Sequence, residues 1–546
     1  MEKITITYNG EKKEFDKNIT YFEISKAFGM GKEVLGVNID NIIYHLSDTA
    51  KADSIIDFVD ITDVVGHKIY KSGVKFLFEV ALKKTLKEVD VRFEHSVPKG
   101  VLATIVCDRE ISVEDLNNIK QEMSSIVNEN IPIKKLTILK SEAIEYYNKQ
   151  EYYEKALNVQ HISDKVVSLF ELSGYFNYYY TGMPYSTGSI TKYEIKSIGK
   201  NKIIILMPDR EGNIPNYSNS NNIINAFYDG KCLLNDLNIE YLADLNSEVV
   251  NLKIKDFIKS CELVFNLNLA SAAKKISDNK NIKFVMIAGP SSSGKTTTTK
   301  RLADYLRASG YDPIKISIDD YFVEREETPL DKFGNKDYEC LNAIDIELLN
   351  NDLDDLLNGK TVRMKRYNFI TGKKELLDKE LKIKDNTILL LEGLHALNDE
   401  LTPKISAKYK YKIYLSPFIP LNIDRHNYIS TVDLRLIRRM IRDSRTRGNS
   451  VVDTIDTWQS VRRGEQKYIF PFVSQADLVI NTALPYEVGV LRVFIEPLLY
   501  SVDINNKYYE EARRIINSLK TFFSIPGEYV PEDSILREFI GGKYND

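Results

Sequence analysis

Phe284-Val-Met-Ile-Ala288, followed directly by Gly289-Pro-Ser-Ser-Ser-Gly294-Lys295-Thr296-Thr297, is the stretch on which the fold turns. An unbroken apolar run of this kind predicts a strand buried on both faces, the pattern of parallel sheets covered by helices. The residues from Gly289 fit G-x-x-x-x-G-K-[ST], and Lys295–Ala308 reads as a helix. A strand entering the loop and a helix leaving it is the context this motif requires. The glycines let backbone N–H groups turn inward around phosphate oxygens, and the helix N-terminus adds its positive end. Gly289, Ser291, Ser292, Ser293, Gly294, Lys295, Thr296 and Thr297 are therefore the candidate ATP-binding residues. Lys295 is placed to hold the β- and γ-phosphates, and the Thr296 hydroxyl to ligate Mg²⁺.

Working outward, further apolar runs alternate with helical stretches: IKISI (314–318), ILLL (388–391), KIYL (412–415) and LVI (478–480). This alternation predicts a parallel α/β sheet. Asp319 and Asp320 follow IKISI, and Glu392 follows ILLL, so these carboxylates fall where strand ends line the ligand crevice. One acid after a strand is usually a turn or cap residue. Two such sites downstream of a phosphate loop point to a proton acceptor and a metal ligand. The run Asp433–Gly448 places Arg435, Arg438, Arg439 and Arg442 on one helical face with little acidic compensation. Cations stacked in this way are expected to face polyphosphate and neutralise its oxygens.

The chain has 546 residues, 43% of them hydrophobic and 28% charged, with a net charge of −4. That length predicts several domains, and that charge gives no global basic field for nucleic acid. Residues 1–64 read as short strands turning at Asn9-Gly10, with a helix near Tyr21–Phe28. Residues 65–250 mix helix and strand, including Phe76–Leu86, Val113–Asn128 behind a Ser112 cap, a tyrosine-rich stretch at 175–185 and a strand at 203–207. Residues 251–280 read as a helical linker, 281–505 as the α/β unit and 506–546 as a C-terminal tail. The four cysteines (Cys107, Cys232, Cys261, Cys340) lie too far apart for a disulfide framework or common zinc spacing. The N-terminus lacks a signal-peptide core and no run is long and apolar enough to span a membrane, so a cytoplasmic protein is expected.

Residues 283–500 resemble the uridine kinase and phosphoribulokinase family. GPSSSGKTT is similar to its phosphate loop, IDDYF to its catalytic segment, DYECLNAID to its substrate loop, RYNFITGKK to its base-contacting segment, LLEGLHAL to its strand-plus-Glu segment and LRLIRRMIRDSRTRG to its lid. The resemblance implies Asp319 as catalytic base and Lys295 and Arg442 as partners in phosphoryl transfer. It implies Glu339, Tyr367, Phe369 and Arg439 at the substrate, Arg442 and Arg447 at ATP, and Glu392 beside Thr296 at Mg²⁺. Two positions depart from the pattern. Gly372 stands where uridine kinases usually carry a histidine, and Asn449 where many relatives carry an arginine.

The first half is similar to the front of threonyl-tRNA synthetase: 1–64 to its TGS β-grasp module and 65 to about 210 to its second additional domain. ISVEDLNNIKQEMSSIVNENIPIKK and YYYTGMPYSTG carry that likeness. At the paired metal-binding histidines of that domain this chain has Lys71 and Lys75, with Tyr180 and Met183 or Pro184 near the later ligands. Loss of editing chemistry is implied, leaving a scaffold or regulatory module. Tyr178–Tyr180 are expected to be buried or, as the alternative, to stack on bases.

The expected fold is thus multidomain α/β: a P-loop parallel-sheet kinase domain preceded by a β-grasp module and an α+β synthetase-like domain. The expected activity is transfer of the γ-phosphoryl group of Mg-ATP to a primary hydroxyl of a nucleoside or related small molecule. Two alternatives stand beside it: an ATP-gated RNA- or tRNA-associated regulatory protein, and a sugar-phosphate kinase using Arg445 or Lys373 and Lys374 for the acceptor phosphate. Homo-oligomerisation stays open.

Overall fold

The computed structural model describes residues 2–97, 100–217, 221–330, 334, 336–368 and 371–542. Strands Phe284–Ala288 (β1), Asp312–Ser317 (β2), Thr387–Glu392 (β3), Lys410–Ser416 (β4) and Leu478–Asn481 (β5) form one sheet in the order β2-β3-β1-β4-β5. Every neighbouring pair is parallel. The five apolar runs found in the sequence all fall on it. β1 and β3 are buried at every position, which is why their sequences do not alternate. Ser317 and Ile287 both register with Glu392, so β1, β2 and β3 end at one level and open a shared crevice.

Helices cover both faces. On one side Ile254–Asp278 (α2) and Lys295–Ala308 (α3) pack Leu269, Ile276, Leu302 and Leu306 against Val285 and Ile287. On the other, Phe284, Met286, Leu389 and Leu391 meet Tyr321, Leu349 and Leu353. Two expectations change here. The stretch expected as a linker contains α2, which is part of the core of the parallel-sheet domain rather than a connector. The C-terminal tail also belongs to it. Its helix Tyr509–Leu519 buries Ile515 and Leu519 in the same cluster, and its last turn Arg537–Ile540, with the segment leading into it, adds Ile535, Leu536 and Phe539.

In the first 64 residues, strands Lys3–Tyr8 and Glu11–Asp16 pair around Asn9 and Gly10, whose φ of 49° and 83° suit a tight hairpin. Helix Val64–Thr85 (α1) follows and packs with helix Val113–Glu129 and an antiparallel sheet of strands 90–97, 100–106, 202–206 and 194–199. Residues Phe76–Leu82 of α1 are all buried, with the apolar side chains packed in this domain and Glu79 lying 3.6 Å from His426 of the second half.

The halves are joined by residues 422–428, which leave β4's connection and enter the N-terminal half. The Asp424 carboxylate accepts from Lys155 Nζ at 2.8 Å and from the Tyr178 hydroxyl at 2.6 Å, and both charged partners have no solvent exposure. Arg425 donates to Glu154 at 2.7 Å and to Asp90 at 2.8 Å. Tyr178 and Tyr179 are buried at this junction, so neither presents a stacking face to a base. No helix among the described residues is long and apolar enough to cross a membrane.

Candidate active site

The phosphate loop is shaped by what surrounds it. A Cβ on Gly289 would lie 2.5 Å from the Leu415 carbonyl of β4, so only glycine fits there. Gly294 has φ +80°, and its missing side chain leaves room for Ile535 of the tail. Ser292 also takes a left-handed φ of 60°, which turns the loop over the helix N-terminus. Lys295 folds back to donate to the Gly289 carbonyl at 2.8 Å.

The lid helix Thr431–Thr446 (α4) corrects the expectation of a free arginine face. Arg435 and Arg438 are fully buried. Arg435 is paired with Glu465 and donates to the Ser291 carbonyl at 2.8 Å, while Glu465 accepts from the Ser291 N–H at 3.1 Å. Arg438 is paired with Glu487 at 2.7 Å and donates to the Thr482 carbonyl at 2.8 Å, and the Thr482 hydroxyl holds the Ser293 carbonyl at 2.7 Å. These two arginines therefore brace the loop from behind. Their acids sit on distant helices, so no local sequence signal paired them. Arg439, Arg442 and Arg447 remain at the surface of the cleft, gathered by the buried Asp443 at 3.2, 2.8 and 3.5 Å. Arg439 also donates to the Ser291 hydroxyl at 3.2 Å.

At the crevice between β2 and β3, Thr296 donates its hydroxyl to Glu392 at 3.0 Å, and Lys315 Nζ lies 2.7 Å from the other oxygen of Glu392. A hydroxyl and a carboxylate side by side are the hard oxygen donors Mg²⁺ takes. The buried Ser292 and Ser293 hydroxyls make no hydrogen bond within the protein. The residues present therefore fit a magnesium-bound polyphosphate. Lys315 was missed in the sequence, although a lone charge inside IKISI was the available signal.

Asp319 is reachable by water but hemmed in by protein on most sides. That crowding, with the nearby Glu392 and Asp320 carboxylates, outweighs the attraction of Lys295 and pushes its pKa up to about 6. Desolvation acts on Lys295 as well and lowers its pKa despite Glu392 and Asp319. Glu339 is pushed up to about 7 by burial and by the facing Glu465 and Asp319. It is brought in by Gly464, where a Cβ would meet the Glu339 side chain at 2.9 Å. Titratable groups displaced in opposite directions within one cleft are a signature of functional sites. Asp320 turns away and accepts the Tyr367 N–H at 3.4 Å, with the Tyr367 ring buried against Phe322. Phe369 lies outside the described residues. Gly372 has φ +73°, and any side chain there would meet Arg325 at 2.7 Å. Of the cations suggested for a second phosphate, Lys374 is engaged with Asp345 at 2.6 Å and Arg445 with the Phe539 carbonyl at 2.6 Å.

Residues 284–487 match the model of the Phosphoribulokinase / Uridine kinase family. A uridine kinase of Halobacterium salinarum is 27% identical over 196 residues, covering 36% of this chain and 77% of that protein. A uridine kinase of Staphylococcus aureus is 29% identical over 202 residues, covering 37% and 88%. A solved structure, a possible uridine kinase from Bacillus stearothermophilus, overlaps with 37% of this chain and 89% of its own at 19% identity and a TM-score of 0.25. The family match, together with the loop and sheet above, makes the C-terminal half a P-loop kinase domain. The protein is a phosphotransferase acting on a hydroxyl group.

Proposed function

We propose that the chain transfers the γ-phosphoryl group of ATP to a primary hydroxyl of a nucleoside or related small molecule. The observation that carries this reading is the placement of Asp319 just past the end of β2, in the crevice that holds Lys295 and the Thr296–Glu392 pair, where its surroundings push its pKa up to about 6. A base poised near neutrality takes a hydroxyl proton as the oxygen attacks, without remaining protonated at working pH.

In this reading Lys295 turns from the Gly289 carbonyl to the β- and γ-phosphates. Arg439, Arg442 and Arg447 neutralise the equatorial oxygens of the transferring group. Thr296 and Glu392 would hold Mg²⁺, which supplies charge neutralisation between β- and γ-oxygens when bound. Glu339 contacts acceptor hydroxyls, and Asp319 receives the proton. The acceptor pocket itself differs from that of a pyrimidine-nucleoside kinase. Arg325 packs where Gly372 leaves space, so the base-recognising histidine has no counterpart. The acceptor is therefore left as a nucleoside or related small molecule rather than assigned as uridine. The N-terminal half serves as a scaffold fixed to the kinase through Asp424.

The test is ADP release from Mg-ATP against nucleosides, sugars and sugar phosphates, with Lys295→Ala as control. Turnover with one acceptor class that vanishes in the variant supports the reading. ATP binding with no acceleration by any acceptor removes it, and turnover only with sugar phosphates replaces it by the phosphoribulokinase-type alternative.

A further inference from the structure

The family match ends at residue 487, yet the last turn of the chain lies against the phosphate loop. Ser534, Ile535, Leu536 and Phe539 are fully buried, and Ile535 fills the space over Gly294. The Phe539 ring sits 4.9 Å from the Arg438 guanidinium, and its carbonyl accepts from Arg445 of the lid. This hook is built into the core. One side chain on it differs in character. Glu538 is only half-buried, and its carboxylate accepts the Thr297 hydroxyl at 2.8 Å.

Thr297 follows Thr296 at the start of α3, where backbone N–H groups and the helix dipole concentrate positive potential for a polyanion. Among the described residues Glu538 forms no ion pair with a cation, although its field reaches Lys295. A negative charge in that position repels an arriving polyphosphate.

We infer that Glu538 is an internal competitor for the donor phosphates: its carboxylate holds the Thr297 hydroxyl and must turn away for a nucleotide to bind there, so that residues beyond the matched segment set donor affinity. The inference rests on the ATP-donor reading above, but not on any acceptor. Binding costs the Thr297–Glu538 hydrogen bond and the displacement of a charge, while the hook itself stays packed.

The experiment is calorimetric titration of the full-length chain with ATP, ADP, inorganic tripolyphosphate and adenosine, without acceptor, on wild type, Glu538→Gln and Glu538→Asp. Competition predicts that Glu538→Gln tightens ATP, ADP and tripolyphosphate alike by about 10-fold, with adenosine unchanged and Glu538→Asp in between. A melting temperature within a degree or so of wild type shows that the hook is intact. Weaker ATP binding in Glu538→Gln would make Glu538 a nucleotide ligand and overturn the inference. Unchanged affinities would overturn it as well. If wild type binds none of the polyphosphates, the donor reading fails first, which is a separate result.

Discussion

Two clusters of desolvated charge lie in this molecule, and they are built on opposite terms. At the junction of the halves each acid faces a cation. Burial works against the charge of Asp424, but Lys155 and its hydrogen-bonding neighbours overcome it and hold the carboxyl below its usual range. In the phosphate-loop cleft crowding by protein and by neighbouring carboxylates wins instead, pushing Asp319 up to about 6 and Glu339 up to about 7. The first cluster fixes one docking arrangement, as buried ion pairs serve specificity more than net stability. The second leaves its groups mismatched and so ready to exchange protons or bind a charged ligand. The difference is between a satisfied and an unsatisfied cluster of charge within one chain.

Substitutions should respect that division, and the largest effect falls in the cleft. Asp319→Asn is expected to lower kcat by about 10³-fold with the fold intact, and Lys295→Ala by a similar factor, if the proposed base and phosphate-binding charge act at the transition state. Steady-state kinetics beside circular dichroism checks both. Asp424→Ala should do the reverse. It strands Lys155 and destabilises the protein by about 3–5 kcal/mol, while the protein that remains folded keeps its KM for ATP. A thermal melt with kinetics measured well below the transition would expose any mixing of the two roles.

The pH dependence sharpens the contrast. Asp319 must be ionised to accept a proton, so kcat/KM should fall below about pH 6 rather than near pH 4. Its folded pKa lies above the unfolded value, so its ionised form costs stability as pH rises through that window. Asp319→Asn should therefore melt higher than wild type at pH 8 and equal to it near pH 4. Asp424 has the opposite sign. Its lowered pKa contributes stability above the unfolded value, and that contribution is lost as acid is added. Melting curves across pH on the two single variants separate the two clusters. The smallest expected effect is at the pocket wall. Gly372→Ala imposes a left-handed backbone on alanine and presses on Arg325, costing about 1 kcal/mol and raising KM for the acceptor severalfold without changing KM for ATP.

The kinase sheet was legible because its signals are local: apolar runs for β1 to β5, a glycine-lysine loop, acids just past strand ends. The hairpin at Asn9-Gly10 and the Ser112 cap were legible for the same reason. The arginine helix was half legible. Spacing put four arginines on one face, but only tertiary packing reveals that Glu465 and Glu487, distant in sequence, claim Arg435 and Arg438. The helix at 254–278 and the tail carried apolar stripes with no mark of the sheet they cover. Asp424, Lys155 and Glu538 were illegible, since each acquires its role from a partner more than two hundred residues away.

The central claim is that the cleft moves a phosphoryl group onto an acceptor hydroxyl. Phosphorus NMR of wild type and Asp319→Asn, each incubated with Mg-ATP and an active acceptor, tests it most directly. A new phosphomonoester resonance is expected to grow as the γ-phosphate signal falls in wild type, with ATP left intact by the variant. Release of orthophosphate alone, or an equal rate of phosphomonoester formation in Asp319→Asn, would contradict it.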